Sequence, residues 1–139
     1  ALVIIAAGIV PKRGAASLVG VTSGLLAAFL GLGDLGALNT FLSYAAIGIG
    51  TDLALWLLGD KPESIPVAMV AAVLGHSAKF FVKWGLATLS GAPAGFVALS
   101  LIQSIIGYIV FGALGGLLGA LTLKALRRAG FFAYLAEKK

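Results

Sequence analysis

Cysteine is absent from this 139-residue chain, so no disulfide, thiolate nucleophile or cysteine metal site is available to it. Histidine occurs once, and Asp and Glu together number five, which leaves a metal centre without a ligand set. There is no paired acid motif, no HExxH, no P-loop and no GxSxG. The chain is therefore not expected to be an enzyme, and no cofactor is expected. Charge is also scarce: 11% of residues are Asp, Glu, Lys or Arg, against about 25% in ordinary soluble domains.

Apolar surface is what the chain has instead. Hydrophobic residues make up 60% of it, more than a domain this size can hide in its own core. The bilayer is the natural solvent for such a composition. A net charge of +5 raises the question of nucleic acid, and the positions answer it. Apart from Lys79 and Lys83, the cations sit at segment ends: Lys12, Arg13, Lys61, Lys124, Arg127, Arg128, Lys138 and Lys139. That is the pattern of juxtamembrane anchors, not of a base-reading surface, so nucleic acid is not an expected partner.

The expected fold is all-α: a polytopic transmembrane helix bundle of four complete helices plus the end of a fifth, forming one integral membrane domain over residues 1–139. Ala1–Val10 reads as the end of a transmembrane helix that starts before the sequence does. Pro11-Lys12-Arg13-Gly14 breaks it. Apolar segments then run from Ala15 to Leu32, Leu38 to Leu58, Ile65 to Ser90 and Phe96 to Leu123. Turns at Gly31-Leu32-Gly33-Asp34, Gly59–Ser64 and Ser90–Pro93 separate them, with Ser64 expected to cap its helix and Pro66 in the first turn. Gly130 ends the last helix before a short amphipathic tail. Placing the Lys12/Arg13 turn, the Lys61 loop and the Lys124–Arg128 end in the cytoplasm satisfies the positive-inside rule, which puts the C-terminus inside the cell membrane. Trp56 then lies near the inner interface and Trp84 near the outer one. Glycines at 48, 50, 112, 115, 116 and 119 are expected to let helices pack closely.

The stretch Ile65–Ser90 departs from this apolar pattern. His76, Lys79 and Lys83 fall at i, i+3 and i+7, on one helical face. A charge near the bilayer centre costs roughly 2.5–3.5 kcal/mol on insertion scales, so these groups need a cavity, a partner or water. Counting depth at about 1.5 Å per residue puts Lys79, Lys83 and Gln103 in the outer half, with Asn39, Thr40, Ser43 and Tyr44. Asn39, Ser43, Lys79, Lys83 and Gln103 are thus expected to line a ligand pocket open to the exterior. Each has a plainer alternative. Lys83 can snorkel, Asn39 and Thr40 can cap a helix start, and Gln103 and Tyr108 can bond between helices. Asp52 and His76 lie deeper, as a relay or an ion pair with Lys79, and His76 can equally be an interhelical hydrogen-bond donor. With Asp52, His76, Lys79 and Lys83 as a relay, the chain would be an ion- or proton-translocating membrane subunit; a third alternative is a structural subunit of a membrane complex.

Three stretches carry a family resemblance: PKRGAASLVGVTSGLLAAFLG, GIGTDLALWLL and GALGGLLGALTLKALRRAGF. They resemble the cytoplasmic turn with its Gly/Ala-rich helix, the acidic-residue helix and the C-terminal helix of substrate-binding S components of energy-coupling factor (ECF) vitamin transporters. The resemblance implies a six-helix fold with both ends cytoplasmic, of which four helices and part of a fifth are in view. It also implies capture of a vitamin or vitamin precursor outside, with a transmembrane coupling subunit and two ATPase subunits as partners. The PKRGAA-type turn resembles the pyrimidine and thiamine-precursor branch, whereas Lys79 and Lys83 argue for an anionic group on the ligand. The substrate stays open between them.

Overall fold

The computed structural model describes residues 1–10, 12–32, 36–91 and 93–131, without the side chains of residues 94, 96, 100 and 101. Pro11, Gly33, Asp34 and the expected amphipathic tail after residue 131 lie outside the described residues. The chain is all-helical, and its five helices are α1 (Leu2–Ile9), α2 (Ala15–Phe29), α3 (Gly36–Leu57), α4 (Ile65–Leu89) and α5 (Ala94–Arg128). Three of them, α3, α4 and α5, are long and apolar enough to cross a membrane. The apolar helix α2 is shorter than expected: its 15 residues rise roughly 22 Å, against a hydrocarbon layer of about 30 Å. Gly31, at φ +68°, reverses the chain there, and the Leu32 amide donates back to the Ala27 carbonyl.

Each long helix packs on its neighbour in sequence, α2 on α3, α3 on α4 and α4 on α5. The short α1 touches α2, α3 and α5 at the end of the bundle that carries the cations. Its Ile4 is fully buried in a core with Ala54 and Leu55 of α3, Ala68, Ala71 and Ala72 of α4, and Ala120 and Leu123 of α5. The core is made largely of alanine because lipid offers no hydrophobic force between helices, so close approach supplies the packing energy.

Glycine sets how close. A Cβ on Gly48 would lie 2.5 Å from the Ala16 carbonyl oxygen, and one on Gly20 2.8 Å from the Gly48 Cα. A Cβ on Gly112 would lie 2.8 Å from the Val73 Cα, and one on Gly116 would meet Ala68 and Met69. The glycines grouped in the sequence thus serve two interfaces: Gly112 and Gly116 admit α4, while Gly115 and Gly119 face Ala1 and Ile4.

Asp52 holds the start of α2. Gly14 occupies the N-cap position with φ +95° and offers no side chain, so the first amides need an acceptor from elsewhere. Asp52, on α3, provides it. Its Oδ1 accepts the Ala16 N–H at 3.2 Å, and its Oδ2 accepts the Ser17 N–H at 2.7 Å and the Ser17 hydroxyl at 2.6 Å. A carboxylate against the positive end of a helix dipole is a favourable pair. Asp52→Ala is expected to lower stability by about 2 kcal/mol, the upper end for a lost cap, and Asp52→Asn by less, as read by thermal unfolding in detergent.

The basic end is tied further. Arg13 Nε lies 3.5 Å from Asp60 Oδ2 with its guanidinium 5.8 Å from the Trp56 ring centroid, and Arg127 pairs with Glu63 at 2.7 Å. Gly59, at φ +90°, closes α3 before this loop. Ser64 stands at the N-cap of α4 without the expected side-chain bond; its carbonyl receives the Ala68 amide instead. Trp56 and Trp84 are each about half exposed, toward the two ends of the bundle.

Candidate functional site

At the end opposite the cations, α3 and α4 enclose a cavity of about 170 Å³. Leu32, Asn39, Thr40, Ser43, Tyr44, Lys79 and Lys83 line it. The antiparallel register of the two helices explains the grouping. Gly75 on α4 lets Ile47 and Thr51 of α3 approach, since a Cβ there would lie 2.9 Å from the Ile47 carbonyl oxygen. Residues 75, 79 and 83 recur at i+4, as do 51, 47, 43 and 39, so each set shares a face. Moving away from the Gly75 contact, Lys79 therefore comes level with Ser43 and Tyr44, and Lys83 with Asn39 and Thr40. The Lys79 ammonium lies 6.0 Å from the Tyr44 ring centroid, within cation–π range.

Burial is deepest on the α3 side. Ser43 is 1% exposed, Thr40 5% and Asn39 8%. The Thr40 hydroxyl donates to the Gly36 carbonyl at 3.0 Å. Asn39 Oδ1 and Ser43 Oγ are buried with no hydrogen-bond partner among the described residues. Leaving such a group unsatisfied costs about 1–3 kcal/mol, so a native protein that keeps two in one cavity calls for a reason. The charged groups among the described lining residues are both ammonium ions, which suit an anion or a lone-pair acceptor. The volume falls below the ~300–1,000 Å³ of ordinary small-molecule sites, so the cavity has room for one small polar group and not for a whole drug-sized molecule.

Of the expected site residues, Asn39, Ser43, Lys79 and Lys83 come together here. Gln103 does not: it is exposed on α5 and absent from the cavity lining. Its direction around the helix accounts for this. It lies nine residues before Gly112, which packs on α4, and nine residues turn a helix by about two and a half turns, to the opposite face. Asp52 is neither level with Lys79 nor paired with it; it caps α2 and lines a separate cavity of about 300 Å³ at the basic end, with Lys12, Arg13 and Asp60. His76 is not in the lining either. Its Nδ1 donates to the Ala72 carbonyl of its own helix at 3.0 Å. Thr40, Tyr44 and Leu32 join the site; the first two follow from the same i+4 pattern as Asn39 and Ser43, while Leu32 arrives only through the turn after α2. Among the described residues, no group of His, Cys, Asp and Glu could hold a metal ion.

Comparison of the chain with protein-family models, curated proteins and solved structures gives no match.

Proposed function

We propose that this chain is a membrane-embedded substrate-capture subunit of the ECF S-component type, and that the α3–α4 cavity holds the small anionic or strongly polar group of a vitamin-like ligand. The observation that carries the reading is the pair of buried atoms, Asn39 Oδ1 and Ser43 Oγ, that have no hydrogen-bond partner among the described residues and lie beside Lys79 and Lys83 in one cavity. Binding would satisfy both atoms where the ligand group also carries an N–H or O–H: that donor would serve Asn39 Oδ1, which only accepts, while the ammonium groups donate to the ligand's acceptor oxygens and Ser43 donates or accepts as the ligand requires. The remainder of the ligand would lie outside the cavity, consistent with its volume of about 170 Å³. In this reading the cation-rich end faces the cytoplasm, with the C-terminus, and the cavity faces outward. The coupling subunit and ATPases would supply the energy for release inside.

Uptake by cells expressing the complete transporter tests the proposal. Neutralising Lys83 as Lys83→Gln is expected to reduce uptake of the cognate vitamin about fivefold or more at unchanged expression, since a hydrogen bond to a charged group is worth about 1.5–3 kcal/mol. Unchanged uptake in that variant would place the ligand elsewhere.

A further inference from the structure

The exposed face of α5 runs from apolar to basic within a few turns. Leu114, Leu118 and Leu121 are each about half exposed and recur at intervals of four and three residues, so they form one ridge. Ala125 continues the ridge, and Lys124 and Arg128, four residues apart, flank its end. A shallow depression of about 610 Å³ lies over Leu121, Lys124, Ala125, Arg128 and Ala129. The neighbouring cation Arg127 points elsewhere, to Glu63. Lys124 and Arg128 are exposed and form no ion pair among the described residues.

We infer that this depression is a binding site for an anionic phospholipid, its acyl chain along Leu114, Leu118 and Leu121 and its phosphate at Lys124 and Arg128. Charge complementarity selects the headgroup: the two cations, without an ion pair among the described residues, sit one turn apart on a single face, within reach of one phosphate. The apolar ridge selects a lipid over a soluble anion, because it leads directly into the basic pair. The other basic turn offers no such arrangement, since Arg13 is engaged by Asp60 and Trp56. Basic residues at a membrane surface each attract anionic lipid several-fold, and two on one face act together.

Native mass spectrometry of the detergent-extracted protein, given equimolar phosphatidylglycerol and phosphatidylcholine, reads the preference directly. Phosphatidylglycerol is expected to be retained over phosphatidylcholine about tenfold, and Lys124→Gln with Arg128→Gln to bring the ratio close to one. Lys12→Gln with Arg13→Gln should leave it unchanged. Added salt should weaken the wild-type preference, a result that needs no variant to fold. The inference fails if the wild-type protein shows no preference, if the Lys12/Arg13 variant abolishes it equally, or if millimolar inorganic phosphate displaces the lipid, which would mark a free-anion site.

Discussion

Gly48→Leu is expected to separate α2 from α3 and leave little folded protein. Its Cβ alone would sit 2.5 Å from the Ala16 carbonyl oxygen and 3.0 Å from the Cα atoms of Ser17 and Gly20. All of these are backbone atoms, so no rotamer change relieves the clash and the helices must move apart. The same stretch of α2 is where Asp52 binds the Ala16 and Ser17 amides, and those bonds have no slack at 2.7–3.2 Å. Overpacking costs roughly 1–3 kcal/mol, and losing the cap adds up to about 2 kcal/mol more. Together these come to about 5 kcal/mol at most, the lower end of a typical domain's stability of about 5–15 kcal/mol. Gly85→Leu is the matched control. Nothing lies within 4 Å of a Cβ at Gly85, and leucine is the better helix former, so its melting temperature should hold or rise. Thermal unfolding of the two variants in one detergent decides the matter; similar losses in both would mean that the helices are not packed through Gly48.

Lys79→Met and Ser43→Ala should separate function from stability. Lys79 is the charged group level with Ser43 and Tyr44, too far from the end of α4 for easy snorkelling. Removing its charge is expected to weaken ligand binding by about 10- to 100-fold, the range of a charged hydrogen bond. Ser43→Ala is the sharper of the two. Its Oγ is buried and has no partner among the described residues, so its loss should leave stability unchanged or raise it by about 1 kcal/mol. Ligand binding should nevertheless fall several-fold. A purely structural serine would give the reverse, lower stability with binding intact. Equilibrium binding and thermal melting on the same preparation distinguish these outcomes.

Helix positions were legible because apolar run length and Gly/Pro breaks set them, and α3, α4 and α5 fall close to where the sequence puts them. The co-location of Asn39, Ser43, Lys79 and Lys83 was legible from depth together with i+4 spacing along two consecutive antiparallel helices. Direction around the helix axis was not. Residue counting assigns Gln103 the same depth, but the face of α5 that turns inward is set by Gly112 and Gly116 against α4, a contact between distant turns. The role of Asp52 was hidden for a similar reason. Gly14 offers no cap, and the carboxylate that replaces one comes from 36 residues further on, so no local signature joins them. The carboxylate that the sequence offers for a membrane relay accepts the first amides of α2. The early stop of α2 reflects Gly31, whose positive φ closes the helix before the apolar run ends.

The most direct test of the capture site is native mass spectrometry of the protein purified from its membrane in mild detergent, run beside Lys79→Met. The expected result is a wild-type species carrying a small organic molecule with an anionic or strongly polar group, absent or much depleted in the variant. A clean unliganded mass for the wild type that survives supplementation with cell extract, or an adduct retained equally by Lys79→Met, would contradict it.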